Sequence, residues 1–339
     1  MSSEIIVDIA NESDAHAWNE YIAKKNNTTC FNRYEWSSIL AESYASLPMF
    51  LIARRDQEVS GVFPVYQLNN HTFSQQVSVK NGLITEDSAV ANALFDYLNK
   101  ALGDATTINF SSPFSFDFPR LKLETKTTLI LNLENDVDAM WKSLRSKTRN
   151  VIRKSQKNSL VLKKGIEYLD IFFRIYSDRM TRKNIPFSSY AFFKKAAEIF
   201  KNDLQIYVAE KNGKAIASIL VLLSHDTASY AYSAFMPGSE QYSPIHFLLW
   251  ELINDCIHKK TTLIDMGESS IGSGVYNFKI WMGAEPKTFY NYQTYLEKKP
   301  KLSFKNSFKS RINTHIASRL PLPIRKQYLI RQKKMKPLI

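Results

Sequence analysis

Leu51-Ile52-Ala53-Arg54-Arg55-Asp56-Gln57-Glu58 and Tyr207-Val208-Ala209-Glu210-Lys211-Asn212-Gly213-Lys214 lie 156 residues apart (51 + 156 = 207) and read alike. In each, a short apolar run ends in a charged turn and a second apolar run follows. The followers are Val59-Ser60-Gly61-Val62-Phe63 and Ala215-Ile216-Ala217-Ser218-Ile219. The same offset lays Phe31-x-x-Tyr34-x-Trp36 on Phe187-x-x-Tyr190-x-Phe192. Two motifs in step at one offset predict two structurally related halves.

In the second copy, Asn212-Gly213 between apolar runs is a two-residue hairpin signal, because both central residues of a type I′ turn need positive φ. It predicts strands over 204–209 and 216–223, with a third over 228–235. A helix over 245–258, a short strand over 263–266, a glycine-bearing loop, a helix over 275–281 and a strand over 288–296 complete the second half. The first half predicts helices over 15–24 and 34–44, strands over 49–53 and 59–66, a helix over 90–102, and a loop over 69–78. The expected class is α/β: two tandem GNAT-like domains, each a mixed twisted sheet flanked by helices. The expected boundaries are 1–134, 135–298 with a basic linker helix at its start, and a basic tail over 299–339.

Composition narrows the class. The chain has 339 residues, 44% hydrophobic and 23% charged, the balance of a globular protein. No apolar run approaches the ~18–20 residues of a membrane span, and the N-terminus lacks a secretory pattern, so a cytoplasmic protein is expected. Cys30 and Cys256 read as reduced core thiols, and the six histidines are scattered, so no metal is expected. The net charge of +13 is local: 298–339 holds thirteen Lys and Arg and no acid, leaving 45 − 13 = 32 basic against 32 acidic residues elsewhere. In the tail, Phe304, Phe308, Ile312, Ile316 and Leu320 recur every four residues among basic ones, the pattern of a basic amphipathic helix. Two readings stay open for it: peripheral attachment to the anionic inner face of a membrane, or packing on the body.

Three further stretches resemble the FemAB family of transferases, which use a pair of GNAT-like domains. Trp141-x-x-Leu144-x-x-Lys147-x-Arg149-x-x-Ile152-Arg153-Lys154 is similar to that family's segment between its halves. Asp265-Met266-Gly267-Glu268-Ser269 stands where relatives often read D-F-G-R-S, with Glu268 in place of the Arg. The most specific is Gly274-Val275-Tyr276-Asn277-Phe278-Lys279-Ile280-Trp281-Met282-Gly283-Ala284-Glu285-Pro286, which looks like G-x-Y-x-F-K-x-x-W-G-A-x-P. The resemblance runs from Phe31 to Leu296. It implies transfer of an acyl or aminoacyl group to an amine of a nucleotide- or lipid-linked cell-envelope precursor, a peptidoglycan stem peptide or an amino sugar. The donor it implies is aminoacyl-tRNA or acyl-CoA, with no tightly bound cofactor.

Acyl transfer to an amine passes through a tetrahedral intermediate whose oxygen gains charge, and a fixed cation aimed there lowers the barrier. Lys279 is the candidate; on spacing alone it also reads as an ordinary solvated lysine. Glu268 is the candidate proton acceptor, against a role confined to the loop. Asp265 reads as a turn-stabilising residue, and Tyr276 as a donor to the leaving group or a satisfied core tyrosine. Arg149 and Arg153, within the acid-free basic segment 142–157, suit phosphates of a precursor or of tRNA. Arg179 and Arg182 suit an acceptor contact or a helix C-terminus. Trp36, Tyr232 and Trp281 are candidate substrate-binding aromatics. Met236 to Pro244 has one glycine and an acid where acetyl-CoA enzymes carry their phosphate-cradling loop, which argues against a standard pyrophosphate cradle. Two rival readings stand: a non-catalytic tandem-GNAT protein binding tRNA or membrane, and an acetyl-CoA-dependent acetyltransferase.

Overall fold

The structure, a computed structural model, describes residues 4–25, 28–44, 47–69, 72–74, 82–102, 107–119, 121–294 and 320–335. They form two compact units. The N-terminal unit takes residues up to 126 and resumes at 288; the C-terminal unit takes 127–287 and 320–332. The division therefore falls after 126 and after 287, against the 134 and 298 expected from sequence.

In the N-terminal unit, β1 (Ile5–Ile9), α1 (Ala15–Ala23) and α2 (Trp36–Ser43) precede the hairpin β2 (Leu47–Arg55) and β3 (Glu58–Asn69). Then come β4 (Thr72–Ser74), α3 (Ser88–Leu102) and β5 (Thr107–Ser112). β1, β2, β3 and β4 pair antiparallel in turn, and β4 pairs parallel with β5. The core joins alternate residues of β2 and β3 (Leu51, Ala53, Phe63, Val65) to the inward stripe Val90, Ala91, Leu94 and Leu98 of α3, the spacing of one helical face.

The chain continues through β6 (Leu121–Asn132), α4 (Val137–Ser143), α5 (Ser146–Lys157), β7 (Val161–Lys164), α6 (Leu169–Arg182) and α7 (Tyr190–Phe200). The hairpin β8 (Leu204–Lys211) and β9 (Lys214–Ser224) follows, then β10 (Thr227–Phe235), α8 (Pro244–His258), β11 (Leu263–Glu268) and α9 (Gly274–Trp281). β12 (Glu285–Thr294) and α10 (Leu322–Met335) close the described chain. β7 to β10 pair antiparallel in turn, and β10 pairs parallel with β11. One face of this sheet packs on α8, burying Leu248, Leu249, Leu252 and Ile253 with Tyr207, Ile219 and Val221. Among the described residues no helix is long and apolar enough to cross a membrane.

The repeat extends further than its two motifs. Adding 156 to α3 (88–102) gives 244–258, the bounds of α8, and adding it to β5 (107–112) gives 263–268, the bounds of β11. Asn212 and Gly213 take φ of 51° and 72°, as a type I′ turn requires, and Asp56 and Gln57 take the same pair of values. Both hairpins slip register one residue before the turn region, between Ala53 and Arg54 and between Ala209 and Glu210.

Each unit's last strand comes from beyond the repeat. Thr128–Asn132 of β6 pairs antiparallel with β11 inside the C-terminal unit. Tyr290–Gln293 of β12 pairs antiparallel with β5 inside the N-terminal unit, so this strand does not complete the second half as expected. The helix expected over 303–320 lies outside the described residues but for Leu320. Beyond it lies α10, which is not among the expected elements. Its Leu329 is buried, and the Lys326 ammonium sits 5.0 Å above the Phe173 ring.

Candidate active site

The parallel pairing of β10 with β11 lasts three positions, Thr227 with Leu263, Ala228 with Ile264 and Ser229 with Asp265. Beyond it both strands are irregular: β10 slips against β9 between Tyr230 and Tyr232, and β11 against β6 between Asp265 and Gly267. Extra residues bend a strand away from its partner. A cavity of ≈ 280 Å³ opens beside this end of β10. Tyr230, Ser233 and Phe235 of β10 form one wall, and Gly274, Val275, Phe278 and Lys279 of α9 another. Arg179 at the end of α6, Glu240, and Ser243 to His246 at the start of α8 complete the lining.

Local sequence sets each wall. Gly267 has φ +75°, a conformation other residues adopt only with strain, and it turns the end of β11. Asp265, 4% exposed, fixes that turn by accepting from Gly267 N at 2.9 Å and Thr128 Oγ1 at 3.1 Å. Ser273 caps α9, its Oγ accepting from Tyr276 N at 3.1 Å. Ser243, left-handed at φ 51°, and Pro244 at the first helical position start α8 abruptly against the cavity.

Lys279 is the most constrained charge here. It is 5% exposed, and its Nζ donates to the carbonyl oxygens of Gly267 and Glu268, each at 3.2 Å. Burial pulls its pKa from 10.5 down to about 8, while the Asp265 and Glu268 carboxylates hold it up. At neutral pH the group is still mainly cationic. An ammonium has three donors, and the two carbonyls use two of them. Arg179 is half-buried, its guanidinium 3.8 Å above the Phe235 ring. Burial lowers its pKa, against the Glu240 carboxylate and Tyr230.

The other candidates divide. Glu268 is exposed and supplies its backbone oxygen to Lys279; its carboxylate is outside the cavity lining. Tyr276 is half-buried, packed on the core of the C-terminal unit. Tyr232 joins an aromatic cluster with Phe193 at 5.0 Å and Tyr176 at 5.5 Å, apart from the cavity wall. Trp281 is 54% exposed, and its carbonyl accepts from Thr148 Oγ1 at 2.6 Å. Arg149 donates to the carbonyls of Lys142 and Leu144 at 3.0 and 2.6 Å, tying α5 to the end of α4. Arg153 lies 5.1 Å over the Trp141 ring, and Arg182 pairs with Asp178 at 2.9 Å on the surface. Trp36 needs correction as a cleft residue. It is 1% exposed in the N-terminal unit, its Nε1 donates to Cys30 O at 2.8 Å, and no face remains for a ligand. Of the residues chosen from sequence, the structure therefore brings Lys279 and Arg179 to one cavity. It adds Glu240, read from sequence only as an acid in a phosphate-loop position, and His246, not singled out. The signal for His246 was its place in the first turn of a helix opened by Ser243-Pro244.

Two strands parting beside a buried cation, in a unit ordered hairpin, strand, helix, strand, helix, define a GNAT-type fold. Comparison with known proteins agrees. Residues 142–279 match the family described as the acetyltransferase (GNAT) domain. Over 140 residues the chain is 27% identical to the UDP-N-acetylmuramoylpentapeptide-lysine N(6)-alanyltransferase of Weissella viridescens, a match spanning 40% of this chain and 41% of that one. Among solved structures, FemX superposes with a TM-score of 0.68 at 12% identity, covering 85% of this chain and 96% of its own. A tandem GNAT protein of clavulanic acid biosynthesis gives 0.52 at 11%, covering 86% and 98%. These structural likenesses are likenesses of fold. The chain thus carries a GNAT-domain match over residues 142–279, is similar over 140 residues to a peptidoglycan-precursor alanyltransferase, and shares the fold of FemX.

Proposed function

We propose that the chain is an N-acyltransferase that moves an aminoacyl or acyl group onto an amine of a cell-envelope precursor. The observation that carries this reading is Lys279: a buried ammonium fixed by two strand-end carbonyls at the wall of a cavity. Such a group has its orientation settled before reaction, so it stabilises an oxyanion without reorganising. The attacking nitrogen adds to the donor carbonyl, the oxygen's charge builds near Lys279, and collapse expels the donor's alcohol or thiol. The alanyltransferase relative names a lysine of a UDP-linked muramoyl pentapeptide as its acceptor, which supports an acceptor of that class here.

For the donor, Glu240 beside the start of α8 supports an aminoacyl ester of tRNA over acyl-CoA, because a carboxylate there repels a pyrophosphate. Peripheral membrane attachment through the basic tail over 299–339 is part of the proposal, supported by the charge of that segment alone. The test is direct. The protein is incubated with UDP-muramoyl pentapeptide and either alanyl-tRNA or acetyl-CoA, and acceptor masses are read. An added alanyl mass is expected; no product from either donor sinks the reading.

A further inference from the structure

The cavity contains a base that the proposed reaction needs and that no candidate above supplies. We propose that His246 accepts the proton of the attacking amine and returns it to the leaving group. This inference rests on the acyl-transfer reading and adds a residue to it. His246 stands in the first turn of α8 and lines the same cavity as Lys279. Its ring meets the Phe278 ring edge-on, 5.0 Å between centroids at 87°, so packing against α9 sets its orientation. Among the described residues, no hydrogen bond or ion pair holds either ring nitrogen, which leaves both for a ligand.

The surroundings keep the imidazole neutral. Burial lowers its pKa from 6.5, and the positive end of α8 acts in the same direction. Of the ionisable groups facing the cavity, Lys279 from α9 and Arg179 from α6 oppose a further positive charge. Glu240, before α8, favours one but already faces Arg179, and Tyr230 of β10 is a neutral phenol. A neutral imidazole at pH 7 is a base ready to take a proton. Glu268, the carboxylate suggested by sequence, is exposed and outside the lining.

The step balances. The neutral amine's lone pair forms the C–N bond and the carbonyl π pair moves to oxygen. His246 takes one N–H proton from the resulting N⁺. When the C–O bond to the donor breaks, the imidazolium gives that proton to the departing oxygen, and the amide and a free hydroxyl result. Nothing is oxidised or reduced.

Two measurements on the full chain decide it. The first is the imidazole titration of the wild type by NMR, with the His246 resonance assigned by its loss in His246→Gln. The second is the pH dependence of kcat for alanyl transfer to UDP-muramoyl pentapeptide by both proteins. The expected result is a His246 midpoint below 6.5 that coincides with an acid limb of the wild-type profile. In H246Q that limb disappears, and kcat falls by about 100-fold or more with KM little changed. A midpoint at or above 6.5, or an H246Q enzyme with wild-type kcat and its acid limb intact, overturns the proposal for His246 and leaves acyl transfer standing. A wild-type protein that transfers nothing from any donor overturns both.

Discussion

The two units share a skeleton at one offset and differ at the place where their parallel strand pair ends. In the C-terminal unit, Asp265-Met266-Gly267-Glu268 turns out of β11 and presents two carbonyls to a buried lysine. Subtracting 156 gives Asn109-Phe110-Ser111-Ser112 in the N-terminal unit. There Phe110 is fully buried, stacked on Tyr292 at 5.0 Å and edge-on to Phe63 at 4.7 Å. Met266 takes the Phe110 position and is likewise buried, so what sets the C-terminal unit apart is the cation and cavity beside its strand end. The same frame thus serves packing in one copy and chemistry in the other, and the choice is made by a handful of residues after the last shared strand.

This contrast is tested most severely by damaging each place in turn and reading both stability and turnover. Phe110→Ala empties a well-packed site and is expected to cost about 3–5 kcal/mol of stability, measured by denaturant unfolding, with little change in kcat per folded molecule. Lys279→Met should do the opposite. Transfer falls by roughly 10²–10³-fold, while the melting temperature holds or rises because a buried charge is gone. Equal losses of turnover in both variants would mean that the division into packing and chemistry is wrong.

The lysine also carries a pH signature. Its pKa in the folded protein, about 8, is below the ordinary 10.5. Between these values the unfolded chain binds the proton that the folded one has released, so stability relative to K279M rises with pH from about 8 to about 10.5. Turnover runs the other way over that range, because the cation is lost as pH passes about 8. Thermal melts and rates at pH 7, 8, 9 and 10 on both proteins check the two signs.

The smallest effect tests the hairpins. Gln57 adopts φ 72°, the value Gly213 adopts at the equivalent turn. Gln57→Gly is expected to stabilise by up to ~1 kcal/mol and Gly213→Gln to destabilise by ~1 kcal/mol, since side chains resist this region. Matching changes of opposite sign in urea midpoints would show that the two turns are the same device.

Much of this was legible in sequence because it depends on local rules. Asn212-Gly213 announced its turn, and apolar spacing announced α3 and α8 to within two residues of their ends. The short edge strands β1 and β7 were not read. Ile6, Ile9 and Val161 are half-exposed there, so no buried face writes a period into the sequence. The exchange of β6 and β12 was invisible for a different reason: strand pairing at long separation leaves no local trace. At the site, the family motif pointed to Lys279, whereas Trp36 misled. An aromatic suits a ligand cleft and a core alike, and only coordinates reveal its burial and its bond to Cys30. For Arg149 and Arg153, a run of cations in the sequence does not disclose the backbone carbonyls and the tryptophan ring that two of them meet.

The placement of β12 bears on how the chain is made. When residues 107–112 leave the ribosome, the strand that hydrogen-bonds to them, at 290–293, has not been synthesised. At 5–20 residues per second, the roughly 180 intervening residues take on the order of ten to forty seconds. Throughout that interval one edge of β5 has no partner from β12, a template for pairing with another nascent chain. The N-terminal unit, first to be translated, thus cannot complete its sheet until β12 has been made. A cut of the gene at the unit boundary after residue 126 would produce an N-terminal fragment lacking the β12 residues that pair with β5.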